Sequence, residues 1–164
     1  NLLRSLSEQS GLKYVIFRLG TIFGYSVGMR FHTVVNKFIW QASLNQDITV
    51  WKTALNQKRP YCGLNDSISA FNYVVKNNVF DGEIYNIVTV NLTVADIIAC
   101  IKKYVPGLRV KFVESAIMNQ LSYNVSENKS LEKGFKYVGN MNASIKESIQ
   151  KIRNINTFNP KINL

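Results

Sequence analysis

The sequence has few of the side chains that bind metals or form disulfides. Its 164 residues include one histidine, His32, and two cysteines, Cys62 and Cys100. These three residues lie too far apart along the chain for the ligand spacing of a zinc site. Two cysteines are also too few for a disulfide framework, so free thiols and a cytoplasmic protein are expected. The sequence therefore predicts no metal site.

A catalytic role for the histidine or for a Cys–His pair is disfavoured as well. No acid or nucleophile stands beside His32, so a surface or packed histidine is the preferred interpretation. Cys100 lies on an apolar helical face, which is typical of a core thiol. No signature of a nucleophilic cysteine surrounds Cys62.

Proline and long apolar runs are scarce. The chain has three prolines, 46% hydrophobic residues and 18% charged residues, a composition that excludes a disordered or collagen-like protein. No apolar run approaches the roughly 20 residues that a membrane-spanning helix needs. The first residues lack the apolar segment of a secretory signal. We therefore expect a folded, cytoplasmic domain with no membrane partner.

Acidic residues are few relative to basic ones. Twenty Lys and Arg against ten Asp and Glu give a formal net charge of +10, which suits an anionic partner. The basic residues are scattered, and their tightest clusters are the pairs Lys58–Arg59 and Lys102–Lys103. A nucleic-acid surface would concentrate them, so we expect an anionic small molecule and no nucleic acid.

What the chain does contain is an alternation of strand and helix patterns. Short apolar runs rich in strand-forming residues alternate with stretches whose apolar residues recur at helical spacing, which predicts an α/β protein with parallel or mixed strands. The first helix is expected to end at Gly11, and Asp66 and Thr93 are expected to cap two later helices. The predicted strands are 14–17, 47–51, 83–88 and 108–113, and the predicted helices are 34–44, 66 to about 75, 94–104, 128–133 and 142–154.

The predicted strand at 14–17 is expected to be buried on both faces, as in the centre of a parallel sheet. Such a strand needs neighbours on both of its edges. We therefore expect the chain to be a fragment of a larger sheet.

Three glycines follow this first strand at intervals of four residues: Gly20, Gly24 and Gly28. They form no Gly-x-Gly-x-x-Gly or P-loop pattern, so their spacing is weak evidence of a phosphate site. Two interpretations stay open. The segment is either a flexible loop or a backbone that leaves the carboxyl end of a strand, where doubly wound sheets bind their ligands.

Residues 48–61 carry the most informative pattern. Trp51 ends a predicted strand and offers a flat face that can stack on a nucleobase. Eight residues later, Arg59 offers a planar fork that suits a diphosphate. The alternative is that Trp51 packs in the core, as most tryptophans do, and that Arg59 pairs with a surface acid such as Asp66.

Five short motifs follow one another along the chain: Arg18-Leu-Gly-Thr-Ile-Phe-Gly24, the helix 34–42, Ile48-Thr-Val-Trp51, Arg59-Pro-Tyr-x-x-Leu-x-Asp66 and Gly82-Glu-Ile-Tyr-Asn-Ile87. In this order they resemble the C-terminal half of an NAD-dependent epimerase/dehydratase of the extended short-chain dehydrogenase/reductase superfamily, over residues 1–153. The resemblance implies the C-terminal part of a Rossmann-like doubly wound sheet in residues 1–30. It further implies a small mixed α/β substrate-binding portion in 31–155 and a frayed tail in 156–164.

The resemblance implies an enzyme, an isomerase or lyase, that acts on nucleotide sugars with NAD or NADP. Family members hold a glycine-rich cofactor motif and a catalytic Tyr-x-x-x-Lys pair in their N-terminal half, and neither pattern occurs in this sequence. We therefore expect the chain to begin just after the catalytic lysine, to hold no catalytic residue and to be inactive alone. A homodimer of the full-length enzyme, paired through the helix that ends at Gly11, is also implied. The alternative is a non-catalytic module that binds nucleotide sugars or other anions.

The resemblance also assigns site residues by position. The family's second phosphate-binding arginine, near residues 121–124, is missing here, and Thr21 replaces the usual asparagine. The common Tyr-Gly-Asp-Gly turn is replaced by residues 51–54, so Lys52 or Lys58 is the candidate to supply charge instead. The implied cofactor contacts are Leu19 and Ile22, and the implied substrate contacts are Thr21, Thr33, Val34, Val35, Trp51 and Arg59.

Overall fold

The computed structural model of the chain describes residues 2–114 and 121–158, the last three of them by backbone alone. It confirms the α/β class, with helices and strands that alternate along the chain. The helices are α1 (Leu2–Ser10), α2 (Val34–Ser43), α3 (Leu64–Asn77), α4 (Val94–Lys102), α5 (Asn128–Glu132) and α6 (Met141–Phe158), and a 3₁₀ turn occupies Lys52–Ala54.

The described residues form seven strands in three small sheets. The strands are β1 (Ile16–Leu19), β2 (Thr21–Phe23), β3 (Ile48–Trp51), β4 (Lys58–Gly63), β5 (Ile84–Ile87), β6 (Val90–Thr93) and β7 (Val110–Val113). β1 pairs with β5 and β3 pairs with β7, both in parallel. In the third sheet, the central strand β4 pairs in parallel with β2 and antiparallel with β6.

Gly20 separates β1 from β2 and lets the chain pass from one sheet to the next. A Cβ at this position would lie 2.9 Å from the carbonyl carbon of Tyr61 and 3.0 Å from that of Pro60. Because real side chains do not approach backbone so closely, the junction requires glycine. Thr21 then pairs with Tyr61 at the start of β2. The carboxyl end of β1 consequently lies beside the first half of β4.

Two apolar clusters form the core. In the larger one, α2, α4 and α6 pack against each other and against the buried faces of β3 and β4. α4 shows why these helices form and pack, since Val94, Ile97, Ile98 and Ile101 recur at helical spacing and are all buried. Each such side chain contributes roughly 1.5–3 kcal/mol when it is fully buried. The smaller cluster lies between α3 and β5, around Phe135.

Some elements differ from the sequence-based prediction. β1 begins at Ile16, and it is not buried on both faces, because the side chains of Arg18 and Leu19 are exposed. No described strand pairs with its second edge. β2, β4 and β6 have no counterpart among the predicted strands. Gly63 rather than Asp66 is the N-cap residue of α3. α6 continues to Phe158, and residues 159–164 of the predicted tail lie outside the described residues.

Candidate functional site

The guanidinium of Arg59, near the start of β4, is held in a fixed orientation. Its Nη1 donates hydrogen bonds to the carbonyl oxygens of Lys58 at 2.8 Å and Leu121 at 2.7 Å. Its Nη2 donates to Oε1 of Gln57 at 3.0 Å. Its Cζ lies 5.0 Å from the centre of the Tyr123 ring, a cation–π distance. These contacts hold the guanidinium in one orientation.

The segment that supports Arg59 is itself tied to β4 and β6. The backbone N–H of Lys58 donates to the Ser122 hydroxyl at 2.9 Å, and the N–H of Tyr123 donates to the carbonyl of Lys58 at 3.3 Å. The side-chain amide of Asn91, in β6, exchanges two hydrogen bonds with the backbone of Val125, at 2.9 and 3.1 Å. Residues 121–125 therefore form a fixed wall beside the arginine.

The residues implied as cofactor and sugar contacts lie at the junction of β1 and β2. Leu19 and Ile22 are 38% and 37% exposed, and Thr21 between them is half-buried. Gly20 packs against the backbone of the residue that follows Arg59. The structure thus places the β1–β2 junction beside Pro60, the residue after Arg59. Gly20 is packed between two strands, whereas Gly24 and Gly28 lie beyond the end of β2.

Trp51 lies at the carboxyl end of β3 and is 53% exposed. The alternative in which it packs in the core is therefore wrong. Lys52, next in the chain, forms a salt bridge with Glu114 across the ends of β3 and β7, with 2.6 Å between Nζ and Oε1. Asp66 is fully buried and accepts hydrogen bonds from Thr89 and from backbone amides, so it is not the partner of Arg59.

The remaining implied contacts, Thr33, Val34 and Val35, begin α2. The side chain of Val35 is fully buried in the larger cluster, so only its backbone can meet a ligand. Thr33 is the N-cap residue and forms no side-chain cap, and the first turn of α2 holds no acidic residue. Backbone N–H groups at such a helix end favour anions. Nearby Asn36 is 4% exposed, and its Oδ1 has no partner among the described residues.

Tyr61 and Cys62, which lie on β4 just after Arg59, stay protonated at neutral pH. Burial raises the pKa of the Tyr61 phenol to about 12, although the charge of Arg59 acts in the opposite direction. Burial, and then the charge of Asp66, raise the pKa of the Cys62 thiol to about 12. Neither group supplies a base near neutral pH. Chemically, the guanidinium of Arg59 can bind an anion, and the exposed indole of Trp51 can stack on a flat ring.

Sequence reasoning missed the residues that fix the arginine. Tyr123 and Gln57 were not singled out, because neither stands in a periodic pattern and their contact with Arg59 depends on tertiary structure. The exposure of Trp51 did have a sequence signal. In the strand Ile48–Trp51, alternation places Trp51 on the opposite face from two apolar residues, and the observed burial alternates in that way.

Residues 2–114 and 121–158 offer neither of two other kinds of site. No group of three or more His, Cys, Asp or Glu side chains in this part of the chain is placed to hold a metal ion. None of the helices described here combines the length and the apolar content that crossing a membrane requires.

Comparison with known sequences finds a family model that matches part of this chain. The sequence model of the NAD dependent epimerase/dehydratase family matches residues 1–88, which is more than half of the chain. The chain belongs to this family. The match takes in every site residue implied by the motifs, whereas the wall at residues 121–125 lies beyond it. In this member of the epimerase/dehydratase family, Arg59 is thus supported partly from within the matched segment, by Gln57 and Lys58, and partly from outside it, by Leu121 and Tyr123.

Solved structures share the fold of this family member at low sequence identity. The UDP-glucose 4-epimerase of Thermus thermophilus, complexed with NAD, is 16% identical with a TM-score of 0.75, covering 93% of this chain and 50% of its own. RMD from Pseudomonas aeruginosa, complexed with NADPH, is 13% identical with a TM-score of 0.80, and the match covers 94% of this chain and 53% of RMD. The UDP-glucose 4-epimerase of Thermotoga maritima, with UDP-glucose, is 17% identical with a TM-score of 0.75, and the match covers 94% of this chain and 50% of the epimerase. The chain therefore spans about half the length of these structures.

Proposed function

We propose that this chain is the nucleotide-sugar-binding part of a cytoplasmic NAD-dependent epimerase or dehydratase. The observation that carries the proposal is the fixed guanidinium of Arg59 beside the β1–β2 junction. Membership of the family and the likeness to proteins solved with UDP-glucose and with NAD support it. The chain contributes binding and orientation, and the cofactor is held mainly by a half that this chain does not include.

Arg59 is the diphosphate contact in this proposal. A guanidinium presents its N–H donors in a plane that matches two phosphate oxygens. The stack on Tyr123 and the bond to the Leu121 carbonyl hold that plane before the ligand arrives. A prepared orientation reduces the entropy that binding must overcome.

Trp51 is the base contact, and the first turn of α2 faces the nucleotide with its backbone. The exposed indole offers a large flat surface, and stacking on such a ring tolerates any base. In α2, the amides of Thr33, Val34 and Val35 supply hydrogen-bond donors where no side chain caps the helix.

The β1–β2 junction receives the sugar and the nicotinamide. Thr21 offers a hydroxyl, and the apolar side chains of Leu19 and Ile22 are exposed enough to cover a flat ring. These residues fit a nicotinamide cofactor, because an apolar edge at the carboxyl end of a parallel strand is where doubly wound sheets hold such a ring.

The proposed reaction divides its tasks between the two halves of the enzyme. When bound, NAD accepts a hydride from the sugar and returns it. This chain fixes the nucleotide and the diphosphate, which are remote from the reacting carbon, and their binding energy holds the sugar in place. Apolar Leu19 and Ile22 also keep water away from that carbon.

Calorimetric titration of the chain with UDP and with UDP-glucose tests this proposal. Arg59→Ala is expected to weaken the binding of both compounds at least tenfold, about 1.4 kcal/mol or more, because the charge that faces the diphosphate is lost. Arg109→Ala is the matched control. Arg109 is an exposed arginine that forms a salt bridge with Asp47 at the start of β3, opposite the end that carries Trp51. Equal affinities of the two variants, or no binding by the unaltered chain, would overturn the proposal.

A further inference from the structure

A charged pair closes the carboxyl end of the β3–β7 sheet, beside the proposed base contact. Trp51 and Val113, the last residues of the two strands, are partners in the parallel register. The residue that follows each of them is charged, and Nζ of Lys52 lies 2.6 Å from Oε1 of Glu114. Because consecutive Cα atoms are about 3.8 Å apart, the pair begins one residue away from the exposed indole.

Stability of the fold does not account for this pair. The side chains of Lys52 and Glu114 are 60% and 75% exposed, and a salt bridge so open to water contributes little to folding. The other acids that form ion pairs in the described part of the chain are 20% to 57% exposed. Within residues 2–114 and 121–158, Oε2 of Glu114 accepts no hydrogen bond. The carboxylate therefore offers an acceptor to a ligand.

The surface that ends at this pair suits a flat ring. Alternation in β3 places Trp51 on the solvent face, where its partner is Val113, and the two side chains are 53% and 36% exposed. A nucleobase that stacks on the indole leaves its polar edge free to form hydrogen bonds. Lysine and glutamate side chains are long enough to meet that edge from the next position along each strand. The groups of the pair can therefore decide which base is accepted.

Guanine is the base whose edge matches both charges of the pair. It has two neighbouring N–H donors, at N1 and N2, followed by the carbonyl acceptor O6. A carboxylate accepts from both donors in parallel, and an ammonium donates to O6. Such charge-assisted hydrogen bonds are the stronger kind, and they give a geometric preference as well as affinity.

The other common bases match the pair less well. Uracil has one N–H donor between two carbonyl oxygens, so the second carboxylate oxygen would face an acceptor. Adenine and cytosine each place an amino group next to a ring nitrogen that is also an acceptor, with the same result. An acceptor that faces a carboxylate is repelled, and this repulsion gives selectivity in addition to the favourable hydrogen bonds.

We propose that Glu114 and Lys52 make the nucleotide site selective for guanine, so that the substrate is a GDP-sugar. The inference rests on the proposed function, in which the base stacks on Trp51, and it adds the identity of that base. Glu114 accepts from N1 and N2 of guanine, and Lys52 donates to O6. Arg59 and Trp51 do not distinguish one base from another, so UDP still binds but with lower affinity.

Calorimetric titration of the full chain with GDP, UDP and inosine diphosphate tests the inference. Inosine diphosphate keeps the N1–H and O6 groups of GDP and lacks only the 2-amino group. The unaltered chain is expected to bind GDP about tenfold or more tighter than UDP, with inosine diphosphate between them. Glu114→Gln is expected to weaken GDP binding about tenfold, because one acceptor becomes a donor, and to change UDP binding by less than about threefold.

Glu83→Gln is the matched control. Glu83 is also an exposed acid, and its Oε2 lies 2.6 Å from Nζ of Lys129, but it precedes β5, in a different sheet. This variant is expected to bind all three nucleotides as the unaltered chain does. Circular dichroism checks that both variants fold, which is expected because both acids are more than half exposed.

Three results would overturn the inference: UDP binds as tightly as GDP, inosine diphosphate binds as tightly as GDP, or Glu114→Gln weakens GDP and UDP by the same factor. Arg59→Ala separates these failures from a failure of the proposed function, because it should weaken GDP and UDP alike whichever base the site prefers. If it does so while Glu114→Gln leaves the ratio of the two affinities unchanged, the assignment of the base alone is wrong. If the unaltered chain binds none of the three nucleotides, both proposals are wrong.

Discussion

At the scale of single residues, the buried carboxylate of Asp66 joins distant parts of the chain. It accepts hydrogen bonds from the Thr89 hydroxyl at 2.5 Å and from the backbone N–H groups of Val138 at 2.9 Å and Gly139 at 3.0 Å. A side chain at Gly139 would collide with the same carboxylate. The residue therefore fastens the start of α3 to the segment that leads into α6.

Asp66→Ala should lower the free energy of unfolding by about 2–4 kcal/mol, because two backbone amides and a hydroxyl lose a buried acceptor. Urea denaturation followed by circular dichroism measures the change. Asn65→Ala is the control, since Asn65 is the exposed neighbour and its loss should change stability by less than about 0.5 kcal/mol. Similar values for the two variants would show that the carboxylate does not hold the segment.

Local sequence patterns identified the chemistry of such residues better than their partners. An aspartate just before an apolar helical run is typical of a cap, yet the partners of Asp66 lie 72 and 73 residues further on. The planar charge of Arg59 could be read from the sequence, whereas its support from Leu121 comes from 62 residues away. Contacts of this range depend on the fold, which no short pattern contains.

At the scale of elements, the strongly periodic helices were predicted and the short central strands were not. α2 and α4 differ from their predicted bounds by two residues or fewer because their apolar spacing is regular. β4 contains Pro60 and ends at Gly63, two residues that normally argue against a strand. It forms because β2 and β6 pair with it on both sides, which is a tertiary effect.

The N-terminus of α4 carries a capping box that gives a pH-dependent prediction. Thr93 accepts from the N–H of Asp96, and the Asp96 carboxylate accepts from the hydroxyl and the N–H of Thr93. These hydrogen bonds, the one to the Thr93 hydroxyl first, lower the pKa of Asp96 below 3.8. A depressed pKa stabilises the fold above the unfolded value, and this contribution is lost as the pH falls through the folded pKa.

Thr93→Ala is accordingly expected to lower the free energy of unfolding by about 1 kcal/mol at neutral pH. The difference in the free energy of unfolding between this variant and the unaltered chain should become smaller below about pH 4. There Asp96 becomes protonated and its hydrogen bonds to Thr93 weaken. Urea titrations at neutral and acidic pH measure both values. Ser69→Ala, an exposed serine within α3, should show no such pH dependence. A pH-independent effect of Thr93→Ala would contradict the role of the carboxylate.

At the scale of the whole molecule, the resemblance of five motifs predicted the family correctly, and the alternation of elements predicted the α/β class. The division into three small sheets was not predictable, because it depends on where the chain leaves one sheet for another. Gly20 makes that transition through a close backbone contact, and its spacing from other glycines carries no information about the contact. The result is two apolar clusters of unequal size.

We expect local stability to differ along the chain according to how many side chains each element buries. Two helices of equal length show this comparison best. α1 and α4 each have nine residues, but α1 buries none of its side chains and α4 buries four of them. A helix without buried contacts opens at a cost of less than about 1 kcal/mol, whereas a core helix opens at a cost near the global stability of about 5 kcal/mol or more. Hydrogen exchange read by mass spectrometry should therefore show rapid exchange in α1 and strong protection in α4.

The comparison isolates the effect of buried contacts, because α1 contributes no side chain to either apolar cluster and α4 lies in the larger one. Equal protection of the two helices in the isolated chain would mean that α1 is stabilised by something other than buried apolar contacts.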